Sequence, residues 1–192
     1  MGREFELKYR ADGEKIAALQ QKYGDFTAIS METAYYDTQE RILGKQRWTL
    51  RRRYENGRSV CTLKTPAAGL GRGEWETEAD SIETAIPVLC KLGAPEALKE
   101  LTSSGVEPVC AARFTRLAKN LTAQGCIVEL ALDRGVLLGG GKERPFAEIE
   151  VELKAGSEDA AVAFANSLAK EFDLTAEPAS KFKRALALAE EL

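Results

Sequence analysis

Charged and apolar side chains alternate without a break over residues 4–10. Because successive side chains of a β-strand point to opposite faces, the charged residues of this stretch share one face and the apolar residues share the other. The charged residues are Glu4, Glu6, Lys8 and Arg10. An ordinary half-exposed strand shows the same alternation, so this stretch alone does not indicate a functional site. It becomes informative because the pattern recurs along the chain.

A second instance of the pattern is a predicted hairpin. Two alternating runs, residues 48–54 and 59–65, are separated by an Asn-Gly pair, whose residues tolerate the positive φ of a tight turn. Arg51 and Arg53 share one face of the first run, and Lys64 lies in the second. A charged face therefore appears again, here built from cations.

Four more strands are predicted downstream, at residues 74–79, 109–119, 126–133 and 147–154. In the last of them Glu148, Glu150 and Glu152 share one face, as the carboxylates of the first stretch do. In the strand before it, Asp133 shares a face with Glu129. Carboxylates are therefore predicted at both ends of the strand order.

The predicted strand 109–119 contains two arginines, and only one of them can lie on the charged face if the strand is regular. Arg113 and Arg116 lie three positions apart, so their side chains point to opposite faces of a regular strand. Both reach the same face only if a bulge interrupts the strand. The sequence leaves open which of the two faces inward.

A Gly-rich stretch at residues 67–73 predicts a loop. It is not a phosphate-binding P-loop, because it lacks the Gly-Lys-Ser/Thr ending and leads into a strand. Arg72, near its end, shares the parity of Glu74 and Glu76 and is expected on their face.

Apolar residues at helical spacing predict helices, and we expect these helices to cover the apolar outer face of the sheet. The predicted ranges are 13–23, 81–92, 95–101, 160–172 and 180–192. Asp12, Ser81 and Ser180 are suitable N-caps for three of them. Pro87 predicts a kink in the second helix.

Length and composition indicate one packed domain over residues 1–192, with 44% hydrophobic and 30% charged residues. The net charge of -3 gives no general attraction to nucleic acid or to an anionic membrane, so neither is expected as a partner. No apolar run approaches the roughly 20 residues that span a bilayer, and the chain begins with a charged strand instead of a signal peptide. We therefore expect a cytoplasmic location.

Cysteine and histidine usage narrows the chemistry. The four cysteines are scattered without a C-x-x-C pair, which favours buried free thiols over disulfides or a zinc site. The chain has no histidine, and this excludes Ser-His-Asp and Cys-His nucleophiles, histidine-ligated zinc and phosphohistidine chemistry. Catalysis would have to use carboxylates, Lys, Arg, Tyr or a metal held by oxygen ligands.

The charged faces admit two interpretations. One is a sheet with a solvated side, whose charges only keep the protein in solution. The other is a barrel whose charged face points inward, so that carboxylates converge on divalent cations and arginines line an anion site. Oxygen ligands suit Mg²⁺ or Mn²⁺, and guanidinium groups bind phosphate oxygens in pairs. The clustering of like charges favours the second interpretation and a polyphosphate carried as a metal complex.

The charged motifs resemble those of a known family. Residues 4–8 match the E-x-E-x-K signature of the CYTH superfamily, the triphosphate tunnel metalloenzymes. Blocks similar to the later motifs of that family follow in the same order, at residues 35–38, 50–53, 63–64, 72–76, 129–133, 148–153 and 180–181. Residues 127–156 resemble the bacterial inorganic triphosphatase branch, which often carries an appended CHAD domain that is not expected in this sequence. Ala111, Ala112 and Arg113 depart from the pattern of that branch.

The resemblance implies an α+β fold, an eight-stranded antiparallel β-barrel (triphosphate tunnel) with a charged interior and helices packed outside. It implies hydrolysis of the terminal phosphoanhydride of inorganic triphosphate, a triphosphate-containing small anion, with Mg²⁺ or Mn²⁺ as cofactor. Thiamine or nucleoside triphosphatase activity, a class IV-type adenylyl cyclase and a non-catalytic polyphosphate-binding module remain alternatives. The protein is expected to be a monomer or a homodimer.

The resemblance also implies roles for individual residues. The expected catalytic residues are Glu4, Glu6, Lys8, Glu148 and Glu150. The expected metal ligands are Glu4, Glu6, Asp133, Glu148, Glu150 and Glu152. The expected phosphate-binding residues are Lys8, Arg51, Arg53, Lys64, Arg72, Arg113, Arg116 and Lys181. Tyr36, Trp48 and Trp75 are assigned to packing.

Overall fold

A computed structural model describes residues 2–66 and 72–191, so most of the predicted Gly-rich loop lies outside the described residues. The strands are β1 (Gly2–Glu4), β2 (Glu6–Arg10), β3 (Thr27–Asp37), β4 (Thr49–Glu55), β5 (Arg58–Pro66), β6 (Arg72–Glu78), β7 (Glu107–Ala123), β8 (Cys126–Gly139), β9 (Lys142–Gly156) and β10 (Thr175–Ala176). The helices are α1 (Gly13–Tyr23), α2 (Ile42–Lys45), α3 (Ile82–Lys91), α4 (Ala97–Leu101), α5 (Glu158–Glu171) and α6 (Lys181–Glu190).

The strands form one antiparallel sheet in the order β1-β6-β5-β4-β3-β7-β8-β9-β2-β10. Only Phe5 separates β1 from β2, yet β1 pairs with β6 and β2 pairs with β9. The first stretch of the chain therefore bridges the two sides of the sheet and curves it into a tunnel. With β1 and β2 counted as one strand, the predicted eight antiparallel strands are present, and the two-residue β10 adds to the outside of β2.

Helices cover the outer face of the sheet in two places. Helices α1 and α5 bury a cluster that includes Leu19, Val151 and Leu168 against β2, β8 and β9. Helices α3 and α4 bury a second cluster, which includes Leu63 and Leu89, against β4, β5 and β6. Apolar burial of this kind contributes about 1.5–3 kcal/mol for each large side chain. In the described ranges no helix is long and apolar enough to span a bilayer.

Several predictions made from local sequence signals agree with the structure. The side chains of Asp12, Ser81 and Ser180 each accept a hydrogen bond from the backbone N–H three residues later and so cap α1, α3 and α6. Trp75 is buried in the second cluster, and Tyr36 and Trp48 pack against it. The four cysteines are buried and free, and burial raises the pKa of the Cys110 thiol to about 12. The packing and thiol predictions are confirmed.

Helix α2 was not predicted, because a single turn leaves almost no periodic signal. It is held by the buried carboxylate of Asp37, which accepts hydrogen bonds from the backbone N–H groups of Thr38, Leu43 and Gly44 at 2.8–2.9 Å. These bonds satisfy donors that a helix start would otherwise leave without partners. The turn thus depends on a tertiary contact.

Helix α6 is the exception to the prediction that helices pack outside. Ala185 belongs to a buried cluster with Ala112, Phe114 and Phe146. Phe114 lies two residues from Arg116, which lines the tunnel, so this cluster is on the inner face of the sheet. Helix α6 therefore packs against the concave side of β7, β8 and β9 and brings its first residues, Lys181 among them, to the tunnel.

The approach of α6 to β8 requires glycine at position 139. A Cβ atom on Gly139 would lie 2.2 Å from the carbonyl oxygen of Ala185. We predict that Gly139→Ala lowers the free energy of unfolding by about 1–3 kcal/mol, because the helix must move away. Urea unfolding measures the change. Gly13→Ala is the control, since a Cβ atom at Gly13 meets nothing within 4 Å, and equal stability of both variants would contradict the packing described for α6.

Candidate active site

The tunnel encloses a cavity of about 370 Å³ whose lining is mostly charged. The carboxylates in the lining are Glu4, Glu6, Glu55, Glu74, Glu76, Glu129, Glu150 and Glu152. The cationic side chains are Lys8, Arg51, Arg53, Lys64, Arg72, Arg116, Lys154 and Lys181. Among the described residues the two sets are equal in number, which limits the cost of holding so many charges in a partly buried space.

Most of the predicted site residues meet in this cavity, and three do not. Those in the lining are Glu4, Glu6, Lys8, Arg51, Arg53, Lys64, Arg72, Arg116, Glu150, Glu152 and Lys181. The three outside it are Arg113, Asp133 and Glu148. Arg113 lies on the outer surface, whereas Asp133 and Glu148 are buried behind the lining.

The prediction that Arg113 contributes to the interior is wrong. Its guanidinium lies 2.9 Å from Glu143, and both side chains are more than half exposed on the outer surface. The pairing of β7 with β3 and β8 continues without a register shift from Arg113 to Arg116. Without a bulge the two arginines face opposite ways, and Arg116 is the one that faces the tunnel.

Asp133 and Glu148 are fully buried but lie behind the cavity lining. Asp133 accepts two hydrogen bonds from Arg116, at 2.8 and 2.7 Å. Glu148 contacts Lys181 through one oxygen and Arg184 through the other. Both carboxylates therefore already have cationic partners.

On one side of the cavity, cations outweigh the carboxylates within reach. A terminal nitrogen of Arg51 lies 3.8 Å from Glu74, while the buried Nε of Arg51 has no hydrogen-bond partner among the residues that the structure describes. Arg53 donates from Nε to the Thr33 hydroxyl at 3.0 Å. Burial, followed by the charges of Arg51 and Arg116, lowers the pKa of Arg53 to about 10. This side of the cavity is electrostatically suited to an anion.

On the other side, carboxylates outweigh the cations within reach. Burial, followed by the charges of Glu150 and Glu4, raises the pKa of Glu6 above its ordinary value. The ammonium of Lys8 lies 3.6 Å from Glu6. Burial also raises the pKa of Glu152, which lies opposite Glu6 in the β2–β9 pairing. A divalent cation would relieve this repulsion, and carboxylate oxygens are the donors that Mg²⁺ and Mn²⁺ prefer.

Glu4 lies between the two sides. Burial opposes its ionisation, but the ammonium of Lys64, which contacts its carboxylate, and the guanidinium of Arg51 lower its pKa below the ordinary value. Lys64 also lies 3.4 Å from Glu74. The carboxylate of Glu4 is thus ionised and adjacent to both an anion-binding and a cation-binding region.

Comparison with known proteins agrees with the tunnel and its motifs. The sequence model of the CYTH domain family matches residues 2–186. This chain belongs to the CYTH family. An inorganic triphosphatase of Haemophilus influenzae is 31% identical over 96% of this chain and 54% of its own length, so the chain spans about half the length of that relative.

Solved structures share the CYTH fold. A Bacillus halodurans protein, described as a candidate adenylate cyclase, is 25% identical with a TM-score of 0.67, over 94% of this chain and 96% of its own. A Hippeastrum protein, described as a candidate adenylyl cyclase with a dominant triphosphatase activity, is 19% identical with a TM-score of 0.69, over 100% and 98% of the chains. The second likeness supports the fold alone.

Two charged residues at or beside the CYTH tunnel, Lys154 in the lining and Arg184 next to Glu148, were not predicted from the sequence as part of the site. Lys154 lies 2.9 Å from Glu152 and 3.7 Å from Glu129. Its parity matches that of the glutamates before it in β9, so the alternation could have identified it. Arg184 follows Lys181 by three residues in α6, a spacing that places both on one helix face. Its partner Glu148 could not be identified from spacing.

Two arginines of β7 provide a matched test of the buried ion pairs. We predict that Arg116→Met destabilises the CYTH domain by about 3–5 kcal/mol, because Asp133 and Glu150 are left buried without this partner. Arg113→Met removes an exposed pair from the same strand and should cost less than about 1 kcal/mol. Urea unfolding compares the two variants. Equal losses of stability would contradict the assignment of Arg116 to the interior.

Proposed function

We propose that this CYTH chain is a metal-dependent inorganic triphosphatase, which hydrolyses the terminal phosphoanhydride of tripolyphosphate to diphosphate and phosphate. The observation that carries the proposal is the division of charge in one cavity. A buried Arg51 nitrogen, for which the described residues offer no hydrogen-bond partner, lies on one side, and Glu6, whose pKa is raised by burial and then by neighbouring carboxylates, lies on the other. This arrangement is complementary to a small, highly charged anion bound together with a divalent cation.

The cations would hold the phosphate groups. The residues in this role are Lys8, Arg51, Arg53, Lys64 and Arg72, all in the cavity lining. Guanidinium groups donate two parallel hydrogen bonds to phosphate oxygens, and fixed cations also stabilise the charge that develops on the leaving diphosphate. Because the fold holds these side chains in place before substrate binds, little reorganisation is needed at the moment of reaction.

Glu4, Glu6 and Glu150 would hold Mg²⁺ or Mn²⁺, and Glu152 lies beside them. The donor set fits: it consists of carboxylate oxygens, and the pKa of Glu6 is raised in part by its carboxylate neighbours Glu150 and Glu4. When bound, the metal supplies neutralisation of phosphate charge and lowers the pKa of coordinated water. Burial, together with Glu129 and Glu4, raises the pKa of Glu152, which suits this carboxylate to accept a proton from the attacking water.

A nucleotide cyclase on the same tunnel is the second candidate, because the Bacillus halodurans relative carries that description. The apolar part of the lining argues for the inorganic substrate. The rings of Tyr35 and Phe182 pack on each other with centroids 5.1 Å apart, so these two aromatic faces are not free to stack on a base. Incubation with ATP followed by product analysis separates the two candidates, since a cyclase releases a cyclic nucleotide and diphosphate.

The carboxylates can be tested by an amide substitution. We predict that Glu6→Gln lowers phosphate release from tripolyphosphate by at least about 100-fold, because a metal ligand and its charge are lost. Phosphate release is measured with Mg²⁺, with Mn²⁺ and with EDTA. Glu78→Gln is the control, since Glu78 is exposed and pairs with Arg58 at the surface. Tight binding of tripolyphosphate without release by the wild type would make the tunnel a receptor and overturn the catalytic proposal.

Neighbouring arginines of β4 test the anion side. We predict that Arg51→Gln raises the KM for tripolyphosphate by about 10-fold or more, because a charge-assisted contact to phosphate is removed. Arg52→Gln is the matched control. Arg52 donates to the backbone carbonyl of Asp80 at 2.8 Å, on the opposite face of the strand, so its KM should stay near that of the wild type. A similar KM for both variants would argue against anion binding at Arg51.

A further inference from the structure

A group of three carboxylates lies behind the tunnel floor with the spacing of a metal site. One oxygen each from Asp133, Glu148 and Glu150 lies within 4.8 Å of the others. We propose that the ammonium of Lys181 takes the place of a metal ion in this group, so that Asp133 and Glu148 position Lys181 and do not ligate metal. The proposal refines the proposed function, on which it rests for the identity of the metal-binding carboxylates.

The ammonium of Lys181 forms an ion pair with each of the three carboxylates. Its Nζ lies 2.7 Å from Asp133 and 2.8 Å from Glu150, and it also contacts Glu148. Two of its three N–H donors make hydrogen bonds to Glu148 and Glu150, and Asp133 adds an ion pair. Burial opposes this charge, but Glu150, Asp133 and Glu148 together raise the pKa of Lys181 above its ordinary value. Lys181 is thus a fixed, permanent cation at the centre of the three carboxylates.

The surrounding charges balance without a metal ion. Arg116 pairs with Asp133 and Glu150, and Arg184 pairs with the second oxygen of Glu148. Three carboxylates therefore meet three cations. A divalent ion entering the group would have to displace Lys181, and a buried ammonium without partners costs several kcal/mol.

Arg184 extends the ion pairs outward and fixes the start of α6. Its guanidinium lies 3.8 Å from Glu177, which in turn accepts a hydrogen bond from Arg10 at 3.0 Å. Lys181 and Arg184 share a helix face, and Glu148 lies between their positive charges. These ion pairs lie on the side of Lys181 that faces away from the cavity. They therefore hold Lys181 in place at the tunnel floor.

Glu150 connects this group with the cavity. It receives Lys181 on one oxygen and Arg116 on the other, and it also belongs to the lining. Burial opposes its ionisation, but these two cations lower its pKa well below the ordinary value. Of the three carboxylates, Glu150 is therefore the one that is able to reach a metal in the cavity.

The test is a titration of the intact chain with Mn²⁺, in which isothermal titration calorimetry measures how many equivalents of Mn²⁺ are bound. We expect Lys181→Met to bind one more equivalent of Mn²⁺ than the wild type, and the added Asp133→Asn change to abolish that gain. Lys183→Met is the matched control, because Lys183 is the exposed neighbour on α6 and should leave the stoichiometry unchanged. An unchanged stoichiometry in a folded Lys181→Met variant would overturn the proposal.

A second comparison does not depend on the folding of that variant. With Lys181 in place, Glu148→Gln should keep the Mn²⁺ affinity within about twofold of the wild type, whereas Glu6→Gln should lower it at least about 10-fold. A loss for Glu148→Gln as large as that for Glu6→Gln would make Glu148 a metal ligand and contradict the proposal. Since binding is measured apart from hydrolysis, a chain that gives the expected binding but releases no phosphate would contradict only the proposed function.

Discussion

The structure depends on pairing charges inside a curved antiparallel sheet. In the part of the chain that the structure describes, eight carboxylates and eight cationic side chains line one cavity, and burying any of them alone would cost several kcal/mol. The tunnel exists because one short stretch around Phe5 pairs with β6 on one side and with β9 on the other. This stretch places Glu4 next to Lys64 and Glu6 opposite Glu152. The element that curves the sheet thus also sets the electrostatics of its interior.

Two charged side chains of the cavity are not fully paired with neighbours, and these two determine what the cavity can bind. Within the described part of the chain, Arg51 has a buried nitrogen without a hydrogen-bond partner, and the pKa of Glu6 is raised by burial and by its carboxylate neighbours. Behind the floor of the tunnel, by contrast, Asp133 and Glu148 have full cationic partners from β7 and α6. The carboxylates behind the lining are therefore paired with cations, whereas the lining itself can bind a metal and an anion.

The alternation of side chains was enough to predict which residues of β4 and β9 face inward, because a strand has a fixed period of two. It assigned Arg51, Arg53 and Glu150 correctly to the lining. Parity placed Arg113 and Arg116 on opposite faces but could not show which of them points inward, since that depends on how β7 pairs with β3 and β8. Nor could it show that Glu148, on the inward face, is covered by α6. Coverage by a helix is a tertiary property that the period of the strand does not contain.

The position of the metal tests the proposed site most directly. Crystals grown with Mn²⁺ and a non-hydrolysable triphosphate analogue would locate Mn²⁺ by its anomalous scattering. We predict Mn²⁺ beside Glu4, Glu6 and Glu150, with the phosphates toward Arg51. Mn²⁺ between Asp133 and Glu148, or an anion bound outside the tunnel, would contradict it.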